Sequence, residues 1–150
     1  MIISVIGAGS CDNETYKIAE QVGKLIAEKG CTLVTGGLGG VMEAASKGAN
    51  EAGGTTVGIL PGFSKDDANR YVDIPITTGL SHARNVIIAR SADALIAVSG
   101  EYGTLSEIAI ALKLGKPVIG IKTWDTIKGV INVHSPEEAV ETVMQEIEER

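Results

Sequence analysis

The chain has few aromatic and sulfur-containing residues, and this scarcity limits how its core can be built. Aromatic side chains make up 3% of the 150 residues, whereas hydrophobic residues make up 44%. The core must therefore consist of Val, Ile, Leu and Ala, the side chains typical of buried parallel strands and of the helices that cover them. The length suits one domain, and we find no linker, repeat or low-complexity segment. We expect a single domain over residues 1–150.

Cysteine and histidine are too few, and too poorly spaced, to suggest a metal centre. Cys11 and Cys31 are the only cysteines, and they do not form a Cys-x-x-Cys motif. His82 and His134 show no metal-ligand spacing with them. We therefore expect no metal site and no disulfide framework.

Basic segments are also lacking. The net charge is −6, and six glutamates follow one another closely from Glu137 to the C-terminus, on the solvated face of a predicted helix. Without a basic stripe or a series of aromatic residues for base stacking, a nucleic-acid-binding module is not expected. Small anions remain candidate ligands.

Long hydrophobic runs are missing as well. No apolar run approaches the roughly 20 residues of a membrane span. The first residues, from Met1 to Ile6, are strand-like and have neither a basic region nor a small-residue cleavage site. We expect a soluble, cytoplasmic protein with no membrane partner.

What the chain does have is a regular alternation of short β-branched runs and helical periodicity. This pattern predicts an α/β fold, a three-layer Rossmann-like parallel sheet with helices on both faces. Strands are predicted at residues 2–6, 32–35, 55–60, 73–77, 94–98 and 117–121. Helices are predicted at residues 13–29, 41–52, 82–91, 104–114 and 136–149.

Glycine is the residue in clear excess, at 19 copies where average usage would give about 10. Most of the excess follows predicted strands, and in an open parallel sheet ligands bind beyond the carboxyl ends of strands where the strand order reverses. We therefore expect a small phosphorylated ligand in these loops. The candidate ligand- and phosphate-binding residues are Gly7, Gly9, Ser10, Gly36, Gly37, Gly39, Gly40, Gly100, Gly103 and Thr104.

Two of these loops differ in what they indicate. The first loop has part of a dinucleotide fingerprint, but Asn13 stands where a third glycine could stand and no acidic residue closes the second strand. A standard NAD site is therefore disfavoured. The second loop, residues 36–40, has four glycines in five positions, which lose conformational entropy on folding. We expect a ligand to lie close to its backbone.

The segment Gly100-Glu101-Tyr102-Gly103-Thr104-Leu105-Ser106-Glu107 joins a buried-looking strand to an amphipathic helix. Free backbone N–H groups at such a helix start can bind phosphate. Glu107 is predicted in the first helical turn, where its carboxylate either stabilises the helix dipole or acts beside an anion site.

Three motifs resemble those of the LOG-like Rossmann superfamily. They are Gly-Gly-x-Gly-Gly-Val-Met from Gly36, Leu-Pro-Gly from Leu60, and Gly-Thr-Leu-Ser-Glu from Gly103 with Arg84 on a preceding helix. That group includes cytokinin-activating nucleoside 5′-monophosphate phosphoribohydrolases, proteins long mislabelled lysine decarboxylases, and molybdenum cofactor carrier proteins. The resemblance covers the chain up to about Gly120.

The chain departs from the hydrolase branch in both of its signature motifs, Pro-Gly-Gly-x-Gly-Thr-x-x-Glu and Met-x-x-Arg-Lys. Gly100, Gly103, Thr104, Glu107 and Arg84 match. The proline, the second glycine and the lysine are replaced by Ser99, Glu101 and Asn85. Short chains with Tyr-Gly-Thr-Leu-Ser-Glu resemble the cofactor-carrier branch more closely.

The resemblance implies a protein that binds a nucleoside monophosphate or the molybdenum cofactor and requires no cofactor of its own. The alternatives left open are a phosphoribohydrolase and a structural subunit with a vestigial pocket. In the hydrolase, Glu107 would stabilise an oxocarbenium-like transition state and position water, and Arg84 would hold Glu107 or the sugar hydroxyls.

Two further expectations concern cofactor and assembly. No lysine follows a loop suited to a Schiff base, so a pyridoxal phosphate-dependent lysine decarboxylase is excluded. The resemblance also implies a homodimer or a larger homo-oligomer, with the Arg84 helix near the interface.

Overall fold

The computed structural model describes all 150 residues and contains seven strands and five α-helices. The strands are β1 (Ile2–Gly7), β2 (Thr32–Thr35), β3 (Thr56–Leu60), β4 (Ile74–Thr77), β5 (Ala94–Val98), β6 (Val118–Ile121) and β7 (Val130–Val133). The helices are α1 (Asn13–Glu28), α2 (Val41–Glu51), α3 (Arg84–Ser91), α4 (Tyr102–Lys113) and α5 (Pro136–Glu148). Short 3-10 turns lie at Lys65–Asp67 and Ser81–Ala83.

The strands form one parallel sheet in the order β4-β3-β2-β1-β5-β6-β7. The chain builds outward from β1 to β4, then returns to the other side of β1 to place β5. The direction of strand addition therefore reverses between β1 and β5. In open parallel sheets, this is the place where a crevice forms at the carboxyl ends of the strands.

Two hydrophobic cores lie on opposite faces of the sheet. Helices α1, α2 and α5 supply side chains to the larger core, together with residues of β1, β2 and β5. Helices α3 and α4 pack against the other face, around Ile88, Leu95 and Ile108. This arrangement confirms the predicted three-layer Rossmann-like fold. None of the helices combines the length and apolar character needed to cross a membrane.

The structure differs from the sequence prediction at one strand and at the starts of two helices. Helix α3 begins at Arg84, two residues later than predicted, after the 3-10 turn Ser81–Ala83. Strand β7, a partly exposed strand at the edge of the sheet, is missing from the prediction. Helix α4 begins at Tyr102, two residues earlier than predicted. Tyr102 and Gly103 are weak helix formers, so propensity alone does not reveal this first turn.

Candidate functional site

A cavity of about 400 Å³ opens where the strand order reverses, at the carboxyl ends of β1 and β5. Its volume is within the range of ligand-binding pockets in proteins. Eight of the residues proposed from the sequence line it, so the topology gathers them from four separate segments. They are Gly7, Gly9, Ser10, Gly36, Arg84, Gly103, Thr104 and Glu107.

Four other glycines proposed as ligand contacts do not line the cavity: Gly37, Gly39, Gly40 and Gly100. Contacts within the protein explain why three of these positions require glycine. A Cβ on Gly40 would lie 2.3 Å from the Ala8 carbonyl oxygen, and one on Gly37 would lie 2.7 Å from Leu60 Cδ2. Both residues also have positive φ angles. On Gly100 a Cβ would meet Thr104, and on Gly39 it would lie 3.0 Å from the Gly9 oxygen. Close packing within the protein demands glycine at 37, 40 and 100.

The first turn of α4 presents free backbone N–H groups to the cavity. The amide of Leu105 makes the first helical bond, to the Glu101 carbonyl 2.9 Å away. The amides of Tyr102, Gly103 and Thr104 have no acceptor in the protein, and no side chain caps the helix. Uncapped N–H groups at the positive end of a helix dipole bind anions.

A second group of free amides faces the same space from the loop after β1. The N–H groups of Gly9 and Ser10 have no acceptor in the protein, and both residues line the cavity. The loop is held in place because Ala8 accepts a hydrogen bond from the Val41 amide at 3.0 Å. The cavity therefore has amide donors on two of its walls.

Glu107 is buried in the cavity wall with only 7% of its surface exposed. No protein group donates a hydrogen bond to its carboxyl group. Burial raises the pKa of Glu107 to about 8, although the positive charge of Arg84 acts in the opposite direction. At neutral pH the side chain is therefore mainly a neutral acid that can donate a hydrogen bond to a ligand.

The expected position of Glu107 in the first helical turn is wrong. Because α4 begins at Tyr102, Glu107 lies in the second turn, and the first turn carries no acidic residue. The helix dipole therefore does not account for this carboxyl group. Its environment is that of a buried acid facing a ligand cavity.

Arg84 also lines the cavity and is buried, with 8% of its surface exposed. Its Nε donates to the Ile59 carbonyl at 2.9 Å, Nη2 approaches the Gly36 carbonyl at 3.5 Å, and Nη1 donates to the Asn85 side chain. No ion pair joins it to Glu107. Burial lowers the pKa of Arg84, but an arginine remains charged at neutral pH. Of the two partners expected for Arg84, Glu107 and the sugar hydroxyls of a ligand, Glu107 therefore makes no ion pair with it.

Three polar residues of the lining are not among the site residues predicted from the sequence. His82 and Glu101 are exposed at the edge of the cavity, whereas Asn85 is buried. Asn85 occupies the position of the lysine in the hydrolase motif, so motif comparison registers it only as a mismatch. Its contact to Ser106 becomes visible only when α3 and α4 are packed together.

Glu101 is exposed and lies at the rim of the cavity. Its carbonyl oxygen accepts a hydrogen bond from Trp124 Nε1 at 3.1 Å, and the Tyr102 and Trp124 ring centroids are 6.1 Å apart. These contacts join the β6–β7 connection to the start of α4. No group of three or more His, Cys, Asp or Glu side chains that could bind a metal ion lies together in the structure.

The fold and cavity define a Rossmann-like protein with a ligand site at the topological switch point of its sheet. The model of the SLOG cluster4 family matches residues 1–149. The chain belongs to this family, within the LOG-like Rossmann superfamily.

Curated relatives include proteins of archaeal and bacterial origin. An uncharacterized protein of Archaeoglobus fulgidus is 60% identical over 93% of this chain and 92% of its own length. The cytokinin riboside 5′-monophosphate phosphoribohydrolase of Mycobacterium tuberculosis is 34% identical over 78% of this chain and 67% of its own length. A probable enzyme of that type from Oryza sativa is matched over only 43% of its length. The chain thus spans two thirds or less of these two phosphoribohydrolases.

Solved structures match over almost the whole of both chains. The molybdenum cofactor binding protein of the phototrophic bacterium Rippkaea orientalis has a TM-score of 0.92 and 42% identity, and covers 97% of this chain and 96% of its own. The molybdenum cofactor carrier protein of Chlamydomonas reinhardtii has a TM-score of 0.89 and 40% identity, with 99% and 98% covered. These likenesses support a ligand-binding protein of the LOG family.

Proposed function

We propose that the protein binds the molybdenum cofactor, or a closely related phosphorylated pterin, and acts as a carrier for it. The observation that carries this proposal is the match in fold and length to molybdenum cofactor-binding structures, over 96% or more of each chain at 40% identity or more. The phosphoribohydrolases are less similar, and this chain lacks about a third or more of their length.

The chemistry of the cavity supports an anionic ligand. The free amides of Gly103 and Thr104 would hold the phosphate, with the amides of Gly9 and Ser10 on the neighbouring wall. A neutral Glu107 does not repel an anion and can donate or accept a hydrogen bond with the polar ring of a pterin. The buried charge of Arg84 adds an attractive field.

The proposal is tested by the content of the purified protein. The chain is produced in a bacterial host that makes the molybdenum cofactor, purified without oxygen, and analysed for molybdenum and for the fluorescent oxidation product of the pterin. We expect both, in equal amounts and approaching one per chain. Molybdenum and pterin below a tenth per chain, in a host with ample cofactor, would contradict carriage.

A matched pair of variants at Gly103 tests phosphate binding without disturbing the fold. Gly103 has an ordinary φ angle, and a Cβ there would meet nothing within 4 Å. Gly103→Asp therefore fits the helix start, where a carboxylate is favourable, but it places a negative charge beside the amides proposed to bind phosphate. We expect normal folding and loss of bound pterin. Gly103→Asn, which is similar in size but uncharged, controls for the added volume.

The buried acid favours one alternative function, hydrolysis of the N-glycosidic bond of a nucleoside 5′-monophosphate. With a pKa near 8, Glu107 is protonated at neutral pH and could act as the general acid that protonates the departing base. The protein would then release free base and ribose 5-phosphate. Incubation with a panel of nucleoside monophosphates, with Glu107→Gln as control, decides the point. No free base from any of them would exclude hydrolysis.

We also propose that the chain forms a homodimer or larger homo-oligomer. Large apolar side chains are exposed on the loop after β3, on the edge strand β4, on the connection from β4 to α3 and on α3: Phe63, Ile74, Ile76, Leu80 and Val86. Such patches commonly mark interfaces. Light scattering during size-exclusion chromatography tests this directly, and a mass of one chain, 15.5 kDa, at micromolar concentration would contradict it.

A further inference from the structure

Asn85 is the only uncharged polar side chain of α3 that lines the cavity, and its amide group bonds in two directions. The Oδ1 atom accepts a hydrogen bond from Arg84 Nη1, and Nδ2 donates to Ser106 Oγ at 3.2 Å. Ser106 Oγ in turn donates to the Gly103 carbonyl at 2.6 Å. One chain of hydrogen bonds thus runs from Arg84 to the first turn of α4.

Both ends of the Asn85 amide are therefore fixed, and the residue is 5% exposed. Arginine nitrogens only donate hydrogen bonds, so the Oδ1 end of the Asn85 amide must face Arg84 and Nδ2 faces Ser106. The carbonyl end then provides an acceptor for Arg84 Nη1. With Ile59 and Gly36 accepting from the other nitrogens, the guanidinium has an acceptor on each side.

We propose that Asn85 is a positioning residue that holds the Arg84 guanidinium apart from the Glu107 carboxyl group, so that the two groups do not pair and each stays free to meet a ligand. This role rests on the proposed function in one respect, because the separated groups are useful only if the cavity binds an anionic ligand. An Arg84–Glu107 ion pair would neutralise the cation and ionise the acid. A lysine at position 85, as in the hydrolase motif, could not accept the bond from Arg84.

The groups that titrate around this site are few. His82, Arg84, Glu101 and Glu107 line the cavity, and His82 and Glu101 are exposed at its edge. Strand β1, its following loop and Met42 of α2 contribute no titratable side chain to the wall. Glu107 is therefore the one buried acid that Arg84 could approach if Asn85 released it.

The test is the pH dependence of unfolding, measured without ligand. The unfolding midpoint is recorded from pH 5 to pH 8 for the parent chain, Asn85→Ala and Ser106→Ala, each with Glu107 intact and with Glu107→Gln. The difference between the two backgrounds isolates Glu107 from His82. In the parent, a buried acid that stays protonated makes this difference grow as the pH rises.

In Asn85→Ala we expect the difference in unfolding midpoint between the two backgrounds to change with pH by about half as much as in the parent, or less. The reason is that Arg84 Nη1 turns toward Glu107 and favours its ionised form. Ser106→Ala is the matched control: it breaks the same chain of hydrogen bonds but leaves the acceptor for Arg84, so it should keep the parent's pH dependence. A purely structural role for Asn85 would lower the midpoint equally at every pH.

An unchanged pH dependence in Asn85→Ala, or an equal loss in Ser106→Ala, overturns the proposal. Should Asn85→Ala not fold, Asn85→Leu, which is similar in size and has no acceptor, is measured by the same criteria. The pH dependence of unfolding is measured without ligand, so the role of Asn85 and the proposed function can be refuted independently. A chain that retains no pterin but shows the expected pH result refutes only the proposed function, and the reverse outcome refutes only the role of Asn85.

Discussion

Gly37 and Gly40 in the loop after β2 differ from Gly103 in the loop after β5 in why each is glycine. After β2, Gly40 and Gly37 have positive φ angles, and a Cβ on either would collide with the neighbouring loop or with β3. After β5, Gly103 has no neighbour within 4 Å of an added Cβ, and its amide is free. A run of glycines therefore indicates close backbone approach but does not say whether the approaching group is protein or ligand.

The two sides of the cavity also differ in how their charged groups are satisfied. Arg84, beside the β2 loop, has protein acceptors for its guanidinium nitrogens. Glu107, beside the β5 loop, has none, and burial raises its pKa. The protein thus supplies hydrogen-bond acceptors for Arg84, whereas the carboxyl group of Glu107 remains free to form hydrogen bonds with a ligand.

The largest expected effect comes from filling the packed loop. Gly40→Ala places a Cβ 2.3 Å from the Ala8 oxygen at a positive φ angle, which should lower the free energy of unfolding by more than about 2 kcal/mol. Chemical denaturation measures the change. A loss below about 0.5 kcal/mol would show that the loop after β2 is not packed as described.

The second largest effect concerns Glu107, the buried acid that has no hydrogen-bond partner in the protein. From about pH 5 to pH 8 the folded chain retains a proton on Glu107 that the unfolded chain releases, so the free energy of unfolding falls by up to about 1 kcal/mol per pH unit. Glu107→Gln should remove this fall. The variant should be more stable than the parent at pH 8 and similar at pH 4, where the acid is protonated in both states. Equal stability at pH 8 would show that Glu107 is ionised in the folded chain.

A third effect is on ligand binding at the open loop. Gly103→Asp should reduce the pterin retained on purification by about tenfold or more, equivalent to roughly 1.4 kcal/mol, because its carboxylate competes with the phosphate for the free amides. Gly103→Asn should retain more pterin than the aspartate variant. Equal retention in the two variants would place the phosphate elsewhere.

The smallest effect completes the comparison of the two loops. Gly103→Ala should leave stability unchanged or raise the free energy of unfolding by up to about 1 kcal/mol, because alanine loses less conformational entropy than glycine in a helix. The same substitution at Gly40 should have the opposite sign. Denaturation of the two variants side by side is the measurement. A clear loss of stability at Gly103 would remove the distinction between the loops.

Much of the fold could be predicted because its signals are local. The β-branched runs and helical periodicity predict six of the seven strands and all five helices, and parallel βα units dictate helices on both faces. Strand β7, Val130–Val133, is missed because it is a partly exposed edge strand and lacks the continuous apolar run of a buried parallel strand. The start of α4 is missed because Tyr102 and Gly103 are weak helix formers.

By itself, the sequence determined the Rossmann-like class, the family and the loops in which a ligand site would form, because each depends on residue type and spacing along the chain. Only the tertiary structure decided which glycines face the cavity, that Glu107 is an unpaired buried acid, and that Arg84 bonds to Ile59 and Asn85 to Ser106. Those properties depend on which groups meet across β1, α3 and α4. Burial and hydrogen-bond partners are set by neighbours that are distant in sequence, so no local pattern records them.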